Sequence, residues 1–551
     1  MTRYSDLSKE QLIDEIRRLK KRMKFGLLWE DKPEDVAELC KTKLPVLVDV
    51  QDKEISDGTS MPTNILIEGD NYHALSVLNY THMGKIDVIY IDPPYNTGAK
   101  DWKYNNNYVD INDSYRHSKW LSMMSKRLKL AKNLLKADGV LICAIDDNEF
   151  YHLGSLLEEI FYNFEIHCVT IVHNPRGIQG SNFSYTHEYA YFVFRKGLKI
   201  IGPRKLNEEE IYWSNLRNWG SESLRSDARN CFYPIFVKTN KVVGFGDVPP
   251  NSFHPKKQTE TKNGVQWVWP IDINGVERKW RYARQSVETI KDILKVRKSD
   301  DRCEIEIGKD YGTVRTVWKD TKYDANEYGT KLLHALVPDC DFNFPKSVYN
   351  TYDCIAPILS DRKNALVLDY FAGSGTTGHS VLMLNKEDHG QRGFILCTDN
   401  ENKIAEDVCY PRIKKVIKGH KDYPDITDIP AKLKYFRTDF VDAEPTDKNK
   451  KKLTEMATEM LCLKEGTFEK ITNKKVFKIY RNTNHYTGII FDQMAIPNFK
   501  DAISKLKGKF SVYIFSLGDD SFEDEFKDIK QKVKLSPIPE VILRVYRRIF
   551  K

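Results

Sequence analysis

The sequence predicts an α/β protein with a doubly wound, mostly parallel sheet, split by an inserted module and followed by a C-terminal α+β domain. Three observations predict this fold class. Apolar runs of strand length alternate with segments of helical periodicity over residues 64–196, which is typical of parallel strands joined by crossover helices. The alternation stops over 197–320 and returns over 321–420. Residues 421–551 contain Lys-rich and β-like segments in a different order.

The strands of the first half are continuous apolar runs, as expected of strands that are buried on both faces. They are predicted at 64–69, 85–91, 140–145 and 190–194. Apolar residues at helical spacing predict helices at 71–80 and 114–136, and Asp138-Gly139 ends the second of these.

The second half repeats the pattern around a glycine-rich turn. A strand at 364–371 precedes the turn, and a helix, a strand and a second helix follow at 376–385, 393–397 and 403–418. Two β-like segments, 476–480 and 508–517, lie nearer the C-terminus. At the other end, residues 8–24 predict an amphipathic helix, which either docks on its own protein or forms a dimer.

The composition restricts the function only loosely. The 551 residues include 86 Lys and Arg against 78 Asp and Glu, and a net charge of +8 permits nucleic-acid binding without requiring it. No apolar run approaches the roughly 20 residues of a membrane helix. The ten cysteines form no CxxC pair, and no cluster of His, Cys and acidic residues indicates a metal. We therefore expect a soluble, cytoplasmic protein with no membrane partner.

The tetrapeptide Asp92-Pro93-Pro94-Tyr95 directly follows the strand at 85–91, at a carboxyl strand end, where open α/β sheets bind ligands. The two prolines make this loop stiff. It projects a carboxylate, a carbonyl and an aromatic ring into one space. These groups suit a planar amine on an aromatic ring, because Asp92 and the Pro93 carbonyl accept its N–H bonds while Tyr95 stacks on the ring. The alternative is a rigid turn without chemistry.

A second loop, Phe371-Ala372-Gly373-Ser374-Gly375-Thr376-Thr377-Gly378, follows the strand that contains Asp369 and opens a helix. Its glycines permit close approach of a ligand to the backbone, and the helix N-terminus favours an anionic group. The loop also matches GxGxxG, and Asp399 follows Gly378 by 21 residues, as a ribose-binding acid does in a dinucleotide site. This loop alone does not distinguish NAD from other adenosine cofactors.

Together the two loops resemble the DNA amino-methyltransferases, in which S-adenosylmethionine donates the methyl group. Asp92 precedes Phe371 by 279 residues, and the aromatic and basic segment lies between them. This order resembles the β-class, in which the catalytic motif, the target-recognition domain and the cofactor motif follow one another. Over roughly residues 20–200 and 325–440, further segments resemble the modification (Mod) subunits of type III restriction–modification systems. They are KFGLLWEDKPED, ILIEGDNYHALSVL, HNPRGIQGSNFSYTHEYAYFVF, EYGTKLLHALVPDCDFNFPKS, ILCTDNENKIAEDVCYPRIKKVIKG and LKYFRTDFV.

The resemblance implies a Rossmann-like methyltransferase fold, S-adenosylmethionine as cofactor and no requirement for a metal. Asp92, Pro93, Pro94 and Tyr95 then form the catalytic motif. The cofactor-binding residues are expected to be Asp70, Asp92, Tyr95, Phe344, Pro345, Lys346, Ser347, Asp369, Phe371, Gly373, Gly375, Thr376, Thr377, Asp399 and Asn400.

Several of the other residues singled out have two interpretations. Asp70 either contacts the cofactor adenine or only caps the next helix, and Phe183 and Tyr185 either wall an extruded base or are ordinary loop aromatics. In the inserted segment, five residues either bind DNA or belong to the core and the solvated surface, namely Trp267, Trp269, Trp280, Arg281 and Arg284.

The resemblance also implies the substrate and the partners. Asp rather than Ser before PPY favours adenine N6 over cytosine N4 in double-stranded DNA, with the base extruded from the duplex. The expected protein partners are a second copy of the chain and a restriction subunit with nuclease and translocase activity. Two alternatives stay open, a DNA-recognition subunit in which methylation is secondary and a dinucleotide-dependent oxidoreductase.

The predicted domain organisation has five segments. They are an N-terminal helical extension (1–63), the first part of the methyltransferase domain (64–196), the target-recognition insert (197–320), the second part of the methyltransferase domain (321–420) and a C-terminal domain (421–551).

Overall fold

The computed structural model describes residues 8–14, 29–56, 61–206, 208–299, 302–483, 485–518, 520 and 522–550. Most of the helix predicted at 8–24 lies outside this part, and residues 9–14 are helical. The chain divides into two compact units, of which the smaller is Ile201–Val314 and the larger comprises the residues before and after it.

A ten-stranded sheet organises the larger unit. Its strands are β1 (Lys43–Asp49), β2 (Thr63–Glu68), β3 (Ile86–Ile91), β4 (Leu135–Ile145), β5 (Phe164–Val172), β6 (His187–Arg195), β7 (Val317–Trp318), β8 (Leu366–Asp369), β9 (Gly393–Thr398) and β10 (Lys432–Asp442). In space they follow the order β1-β10-β2-β9-β8-β3-β4-β6-β5-β7. Six of the nine pairings are parallel, and the antiparallel ones join β1 to β10, β4 to β6 and β6 to β5. The predicted doubly wound, mostly parallel sheet is confirmed.

The helices lie between these strands and beyond them. The α-helices are α1 (Asp35–Leu39), α2 (Asn71–Thr81), α3 (Arg116–Lys132), α4 (Phe150–Ile160), α5 (Leu332–Leu336), α6 (Val348–Leu359), α7 (Thr376–Asp388), α8 (Tyr410–Lys418), α9 (Asp447–Met456), α10 (Thr458–Glu465), α11 (Ile496–Ser504) and α12 (Glu540–Ile549). Two π-helical segments, Asn326–Lys331 and Ile404–Cys409, directly precede α5 and α8. Short 3-10 turns lie at Gln51–Lys53, Thr321–Tyr323, Glu401–Lys403, Gln493–Ala495 and Glu523–Ile529.

The helix predicted at 114–136 is too long at its C-terminal end. It ends at Lys132, because Leu135 already pairs with Ile86 as the first residue of β4. The strand predicted at 190–194 is similarly longer in the structure and begins at His187. This extension places Glu188 on β6, directly before Tyr189, which pairs with Ile145 at the carboxyl end of β4.

The C-terminal region does not begin where the predicted boundary at 421 lies. Strand β10 pairs with both β2 and β1, so the central sheet continues past that position. A second, mixed sheet then contains β11 (Glu469–Asn473), β12 (Phe477–Arg481), β13 (His485–Ile490), β14 (Lys509–Phe515) and β15 (Val533–Ile538). Its buried Tyr513, together with Met460 and Tyr546, belongs to the same hydrophobic core as the central sheet, so no division of the structure separates 421–551.

The smaller unit is built from short antiparallel strands around its own core. One sheet contains Trp213–Asn215, Arg302–Gly308 and Leu294–Ser299, and another contains Lys241–Phe245, Ile235–Lys238, Val265–Val268 and Thr259–Lys262. Trp280 is 2% exposed and donates its indole N–H to the Tyr233 carbonyl at 2.8 Å, and Trp269 is also buried. For these two tryptophans the core interpretation holds, because neither presents its ring to the surface.

In the part of the chain that the structure describes, no helix combines the length and apolar character needed to cross a membrane.

Because the two sheets share one core, we expect the C-terminal region to unfold together with the central sheet. Tyr546 on α12 is 1% exposed and donates its hydroxyl to the Pro45 carbonyl on β1. Tyr546→Ala should lower the free energy of unfolding by about 3–5 kcal/mol, because it removes a buried ring and leaves a cavity. Urea unfolding followed by tryptophan fluorescence measures the change.

The matched control is Arg544→Ala on the same helix, where the side chain is 56% exposed. This substitution should change the free energy of unfolding by less than about 0.5 kcal/mol. If Tyr546→Ala instead created a separate, early transition and left the main one in place, the C-terminal region would fold independently of the central sheet.

Candidate active site

The two loops singled out in the sequence leave the sheet side by side. Strands β3 and β8 pair in parallel, with Val88 opposite Val367 and Ile89 opposite Leu368. From β3 the sheet continues to β4, and from β8 it continues to β9 and β2. The loop after β3 and the loop after β8 therefore flank the point where the strand order changes direction, which is where doubly wound sheets bind ligands.

Two tryptophan indoles form hydrogen bonds with the Asp92-Pro93-Pro94-Tyr95 loop and with the residue that follows it. The indole N–H of Trp120, which is fully buried on α3, donates to the Pro94 carbonyl at 2.7 Å. Asn96 follows the motif with φ of 58°, and its side chain accepts from the Trp102 indole at 3.0 Å. Stiff prolines and these anchors fix where the carboxylate of Asp92 and the ring of Tyr95 lie.

A largely buried lysine joins the Asp92 loop to Glu188 on β6. Lys346 makes an ion pair with Glu188, lies 3.4 Å from Asp92 Oδ1 and contacts the hydroxyl of Tyr95, over whose ring it sits at 4.6 Å. Tyr95 also donates its hydroxyl to Glu188 Oε2 at 3.1 Å. Of the segment 344–347 that the sequence assigned to the cofactor, Lys346 is thus the residue that reaches the catalytic motif.

The surroundings of the two carboxyl groups shift their pKa values in opposite directions. Burial raises the pKa of the Asp92 carboxyl above its ordinary value, and the ammonium of Lys346 only partly opposes this. Burial also acts on Glu188, but there Lys346, His173 and Tyr95 together outweigh it, and the net effect lowers the pKa of Glu188. Although burial disfavours its charged form, Lys346 has a raised pKa because Asp92 and Glu188 both favour the ammonium. Glu188 is therefore the ionised partner of Lys346, and Asp92 is the carboxyl more easily protonated.

The sequence analysis missed Glu188 and its partner Asn350. Glu188 is 3% exposed, and the amide of Asn350 on α6 donates to Glu188 Oε1 at 2.7 Å. The only sequence signal was one acid at the start of a buried apolar strand, HEYAYFVF, in a segment where the strand was expected to begin two residues later. Buried carboxylates are rare without a partner, so an acid in such a strand could have been identified as a candidate site residue.

The glycine loop has the backbone that its sequence requires. Gly373 and Gly375 have φ of +48° and +81°, in the left-handed region that side chains rarely adopt. Asp369, at the end of β8, accepts from the Phe371 N–H at 2.9 Å and from the Thr377 hydroxyl at 2.6 Å. Burial raises the pKa of Asp369 to about 7. Asp369 and Thr377 therefore brace the loop from within.

Two predicted cofactor acids lie at neighbouring strand ends. Asp70 follows β2 and Asp399 follows β9, and these strands pair in parallel with Glu68 opposite Thr398. Burial, and then the charge of Asp70, raise the pKa of Asp399. Asp70 accepts from the Tyr72 N–H at 2.7 Å, so it does cap α2, and its partner Arg127 lies at 3.4 Å.

The remaining predicted residues lie less directly in the site. Asn400 accepts the Glu406 N–H at 3.2 Å, and Ser347 donates to the Lys322 carbonyl at 2.7 Å, so both have local partners. Phe344 is 89% exposed at φ of 60°. Phe183 and Tyr185 are 76% and 50% exposed on a hairpin in which Ile178–Gln179 pairs with Ser184–Tyr185. Their roles stay predictions, as do those of Pro345, Phe371 and Thr376.

A cluster of two histidines and an acid lies behind the catalytic loop. His117 Nδ1 and His152 Nδ1 lie 2.7 and 2.8 Å from the carboxylate of Glu149, which also receives the amide of Asn96. The three titratable groups lie close enough to hold a metal ion. However, Arg116 donates to His117 Nε2 at 3.0 Å, so Nδ1 carries the proton and donates to Glu149. Arg116, His117 and Glu149 thus form a hydrogen-bonded chain that anchors Asn96, one residue after Tyr95.

The geometry thus defines an α/β protein whose two ligand loops, one acidic and one glycine-rich, meet at a strand-order switch point. Residues 86–408 match the family model described as DNA methylase, and the chain belongs to this family. The match includes both loops and the smaller unit between them.

The chain is also similar to individual proteins and solved structures. The chain is 29% identical to the type II methyltransferase M.KpnI of Klebsiella pneumoniae over 413 residues, which cover 71% of this chain and 91% of the relative. It is also 29% identical to the Mod subunit of the type III restriction–modification enzyme EcoPI of Escherichia phage P1, covering 64% of this chain but 61% of that subunit's length. Among solved structures, the M1.HpyAVI-SAM complex is 14% identical with a TM-score of 0.29, over 64% of this chain and 100% of the other.

The charged cluster predicts the pH dependence of the site. Because the ammonium of Lys346 opposes protonation of Asp92, Lys346→Met should raise the pKa of the Asp92 carboxyl further. If Asp92 must be ionised for the reaction, the pH below which the rate of methyl transfer falls must then move to a higher value. Single-turnover rates between pH 4.5 and 9 measure the shift, with Lys346→Arg as the charge-preserving control. A fall in rate that began at the same or a lower pH in Lys346→Met would refute this assignment.

Proposed function

We propose that this protein is a site-specific DNA methyltransferase that transfers a methyl group from S-adenosylmethionine to adenine N6. The observation that carries the proposal is the adjacency of the Asp92 loop and the glycine loop across the β3–β8 pair, with Lys346 reaching Asp92 and Tyr95. Membership of the DNA methylase family supports the reaction class. Asp at the first position of the motif is what favours adenine over cytosine.

The residues of the glycine loop and the strand ends fit S-adenosylmethionine. Positive φ at Gly373 and Gly375 gives the loop a tight turn that residues with a side chain rarely adopt, so the backbone itself can approach a ligand. Asp399 and Asp70 supply carboxylates suited to hydroxyl and amino groups of a nucleoside, and the N-terminus of α7 suits a carboxylate. When bound, the cofactor supplies an electrophilic methyl group on a sulfonium, which leaves as a neutral thioether.

The chain's own residues then orient the target amine. The carboxylate of Asp92 and the Pro93 carbonyl accept its two N–H bonds, and the ring of Tyr95 stacks on the base. Lys346 donates to the Tyr95 hydroxyl, which in turn donates to Glu188, so the ring has a fixed position before the base arrives. Placement of acceptors before the reaction is the main contribution expected from this site.

The target base must leave the duplex to reach Asp92, because the amine is otherwise paired inside the helix. The exposed Phe183 and Tyr185 are candidates for contact with the extruded base. The smaller unit, placed between the two halves of the catalytic unit in the chain, is the candidate for sequence recognition.

Similarity to Mod subunits supports a place in a restriction–modification system. We propose a cytoplasmic enzyme that acts on double-stranded DNA as a homodimer, with a restriction subunit as its partner. The match covers 61% of the EcoPI Mod subunit's length. The restriction partner is therefore proposed because the relative is a Mod subunit.

The catalytic assignment predicts the effect of removing one carboxylate. Asp92→Ala should lower the rate of methyl transfer to DNA at least ~100-fold, as removal of a placed acceptor typically does. Binding of cofactor and DNA should change little. Purified protein, labelled S-adenosylmethionine and plasmid DNA measure the rate, and calorimetry measures the binding. A variant with a near-normal rate would remove Asp92 from the mechanism.

The cofactor assignment predicts selectivity despite the GxGxxG match. Calorimetric titration should detect S-adenosylmethionine or its demethylated product and no saturable NAD binding. Gly373→Val should weaken cofactor binding about tenfold or more, because a β-branched residue is strained at φ of +48° and its Cβ would lie 3.2 Å from the Phe342 ring.

The control for backbone strain is Gly84→Val, at φ of +64° with no atom within 4 Å of its Cβ position. It should leave cofactor affinity unchanged. Saturable NAD binding without any response to S-adenosylmethionine would favour an oxidoreductase and overturn the proposed function.

Exchange of the smaller unit tests sequence recognition. Residues 201–314 replaced by the corresponding unit of a relative with a known target should redirect methylation to the relative's sequence. The unit has its own hydrophobic core, so the exchange leaves the catalytic core intact. An active chimera that kept its original specificity would place recognition in the larger unit.

A further inference from the structure

A buried arginine lies directly behind the glycine loop. Arg412, on α8, is 0% exposed. The loop glycines permit the close packing of α8 and of the π-helical segment before it. A Cβ at Gly375 would lie 3.0 Å from Sγ of Cys409 in that segment, and one at Gly378 would lie 2.9 Å from Ile413 Cδ1 on α8. The guanidinium therefore lies one layer behind the backbone to which the cofactor is proposed to bind.

The partners of Arg412 are all neutral. Its Nη1 donates to Ser374 Oγ at 2.9 Å and to Thr376 Oγ1 at 2.7 Å, and Nη2 lies 3.5 Å from His379 Nδ1. His379 Nε2 lies 2.7 Å from the Ile426 carbonyl, which can only accept, so the ring is a neutral tautomer with Nδ1 as acceptor. Burial lowers the pKa of His379 to about 3, in agreement. Nε of Arg412 has no partner among the described residues.

The other buried arginines of the described chain each have a carboxylate. Arg127 lies 2.7 Å from Glu34, Arg392 lies 2.7 Å from Asp388, and Arg217 lies 3.5 Å from Glu304. Arg412 has no such ion pair within the described residues, and burial lowers its pKa to about 10. It is thus still protonated at neutral pH, and a buried charge without a counterion is costly unless something compensates it.

We propose that Arg412 selects and positions the carboxylate of the cofactor's amino-acid tail, acting through the hydroxyls of Ser374 and Thr376. This inference rests on the proposed function and assigns to that site a residue outside both loops. Arg412 is a positioning residue, since it touches the loop and not the ligand.

The hydroxyls of Ser374 and Thr376 connect Arg412 to the place where the cofactor carboxylate is proposed to bind. Each accepts from the guanidinium, and their oxygens lie 3.3 Å apart, so one can donate to the other while the second O–H remains available. Thr376 is also the first residue of α7, whose N-terminus favours an anion. A cation behind the loop, polarised hydroxyls within it and a helix N-terminus all raise the local potential in the same place, which favours a carboxylate.

The test compares two ligands that differ only in the carboxylate, S-adenosylmethionine and its decarboxylated form. Calorimetry gives the ratio of their dissociation constants for each variant. Arg412→Gln keeps a donor for the loop hydroxyls and removes the charge, so the preference for the carboxylate should fall about tenfold or more. Arg412→Lys keeps the charge and should retain most of the preference.

Three further measurements keep the result interpretable. 5′-Methylthioadenosine, which lacks the amino-acid tail, should bind wild type and Arg412→Gln alike and thereby report an intact nucleoside site. Arg392→Lys, at a residue that pairs with Asp388 at the C-terminal end of α7, controls for altered packing of that helix and should leave the ratio unchanged. Thr376→Val removes one of the two connecting hydroxyls with Arg412 in place and should reduce the preference.

The outcomes separate this inference from the proposed function. An unchanged ratio in an Arg412→Gln protein that still binds 5′-methylthioadenosine would overturn the role of Arg412 and leave the methyltransferase assignment intact. If that variant does not fold, an unchanged ratio in Thr376→Val overturns it instead. Failure of wild type to bind any of the three ligands would overturn the proposed function and this inference together.

Discussion

The parallel pairing of β3 with β8 is the constraint on which the candidate site depends. It brings side by side two loops that are separated by 279 residues in the chain, with Val88 and Ile89 opposite Val367 and Leu368. The chain segment between the loops includes a compact unit of its own, Ile201–Val314. A large insertion is tolerated because the entropy of closing a loop grows only slowly with its length.

The two sides of the site have opposite electrostatic character. On the β3 side, Asp92 and Glu188 share the single ammonium of Lys346, and burial raises the pKa of Asp92. On the β8 side, Arg412 lies behind the loop with neutral partners only. A side with excess negative charge suits an amine that loses a proton, and a side with excess positive charge suits a carboxylate. In the proposed function, the first side faces the target amine and the second faces the carboxylate of the cofactor's amino-acid tail.

Much of the fold could be predicted from the sequence, because continuous apolar strands and crossover helices are local signals. The pairing of β10 with β1 and β2 could not, since a strand at Lys432–Asp442 in a Lys-rich context carries no sign of its distant partners. Distant contacts also explain which site residues the sequence did not reveal. Asp92 and the glycines lie in recognisable motifs, whereas Glu188, Asn350 and Arg412 matter only through contacts with residues 33 to 162 positions away.

The central claim is that this chain methylates adenine N6 in DNA through Asp92. Single-molecule sequencing of DNA tests it most directly, using a host without adenine methylation of its own that expresses the wild-type chain or Asp92→Ala. The account predicts N6-methyladenine at one sequence context in the wild-type sample and none in the variant, with equal amounts of folded protein. N4-methylcytosine in the wild-type sample, or unmodified DNA despite abundant folded protein, would contradict it.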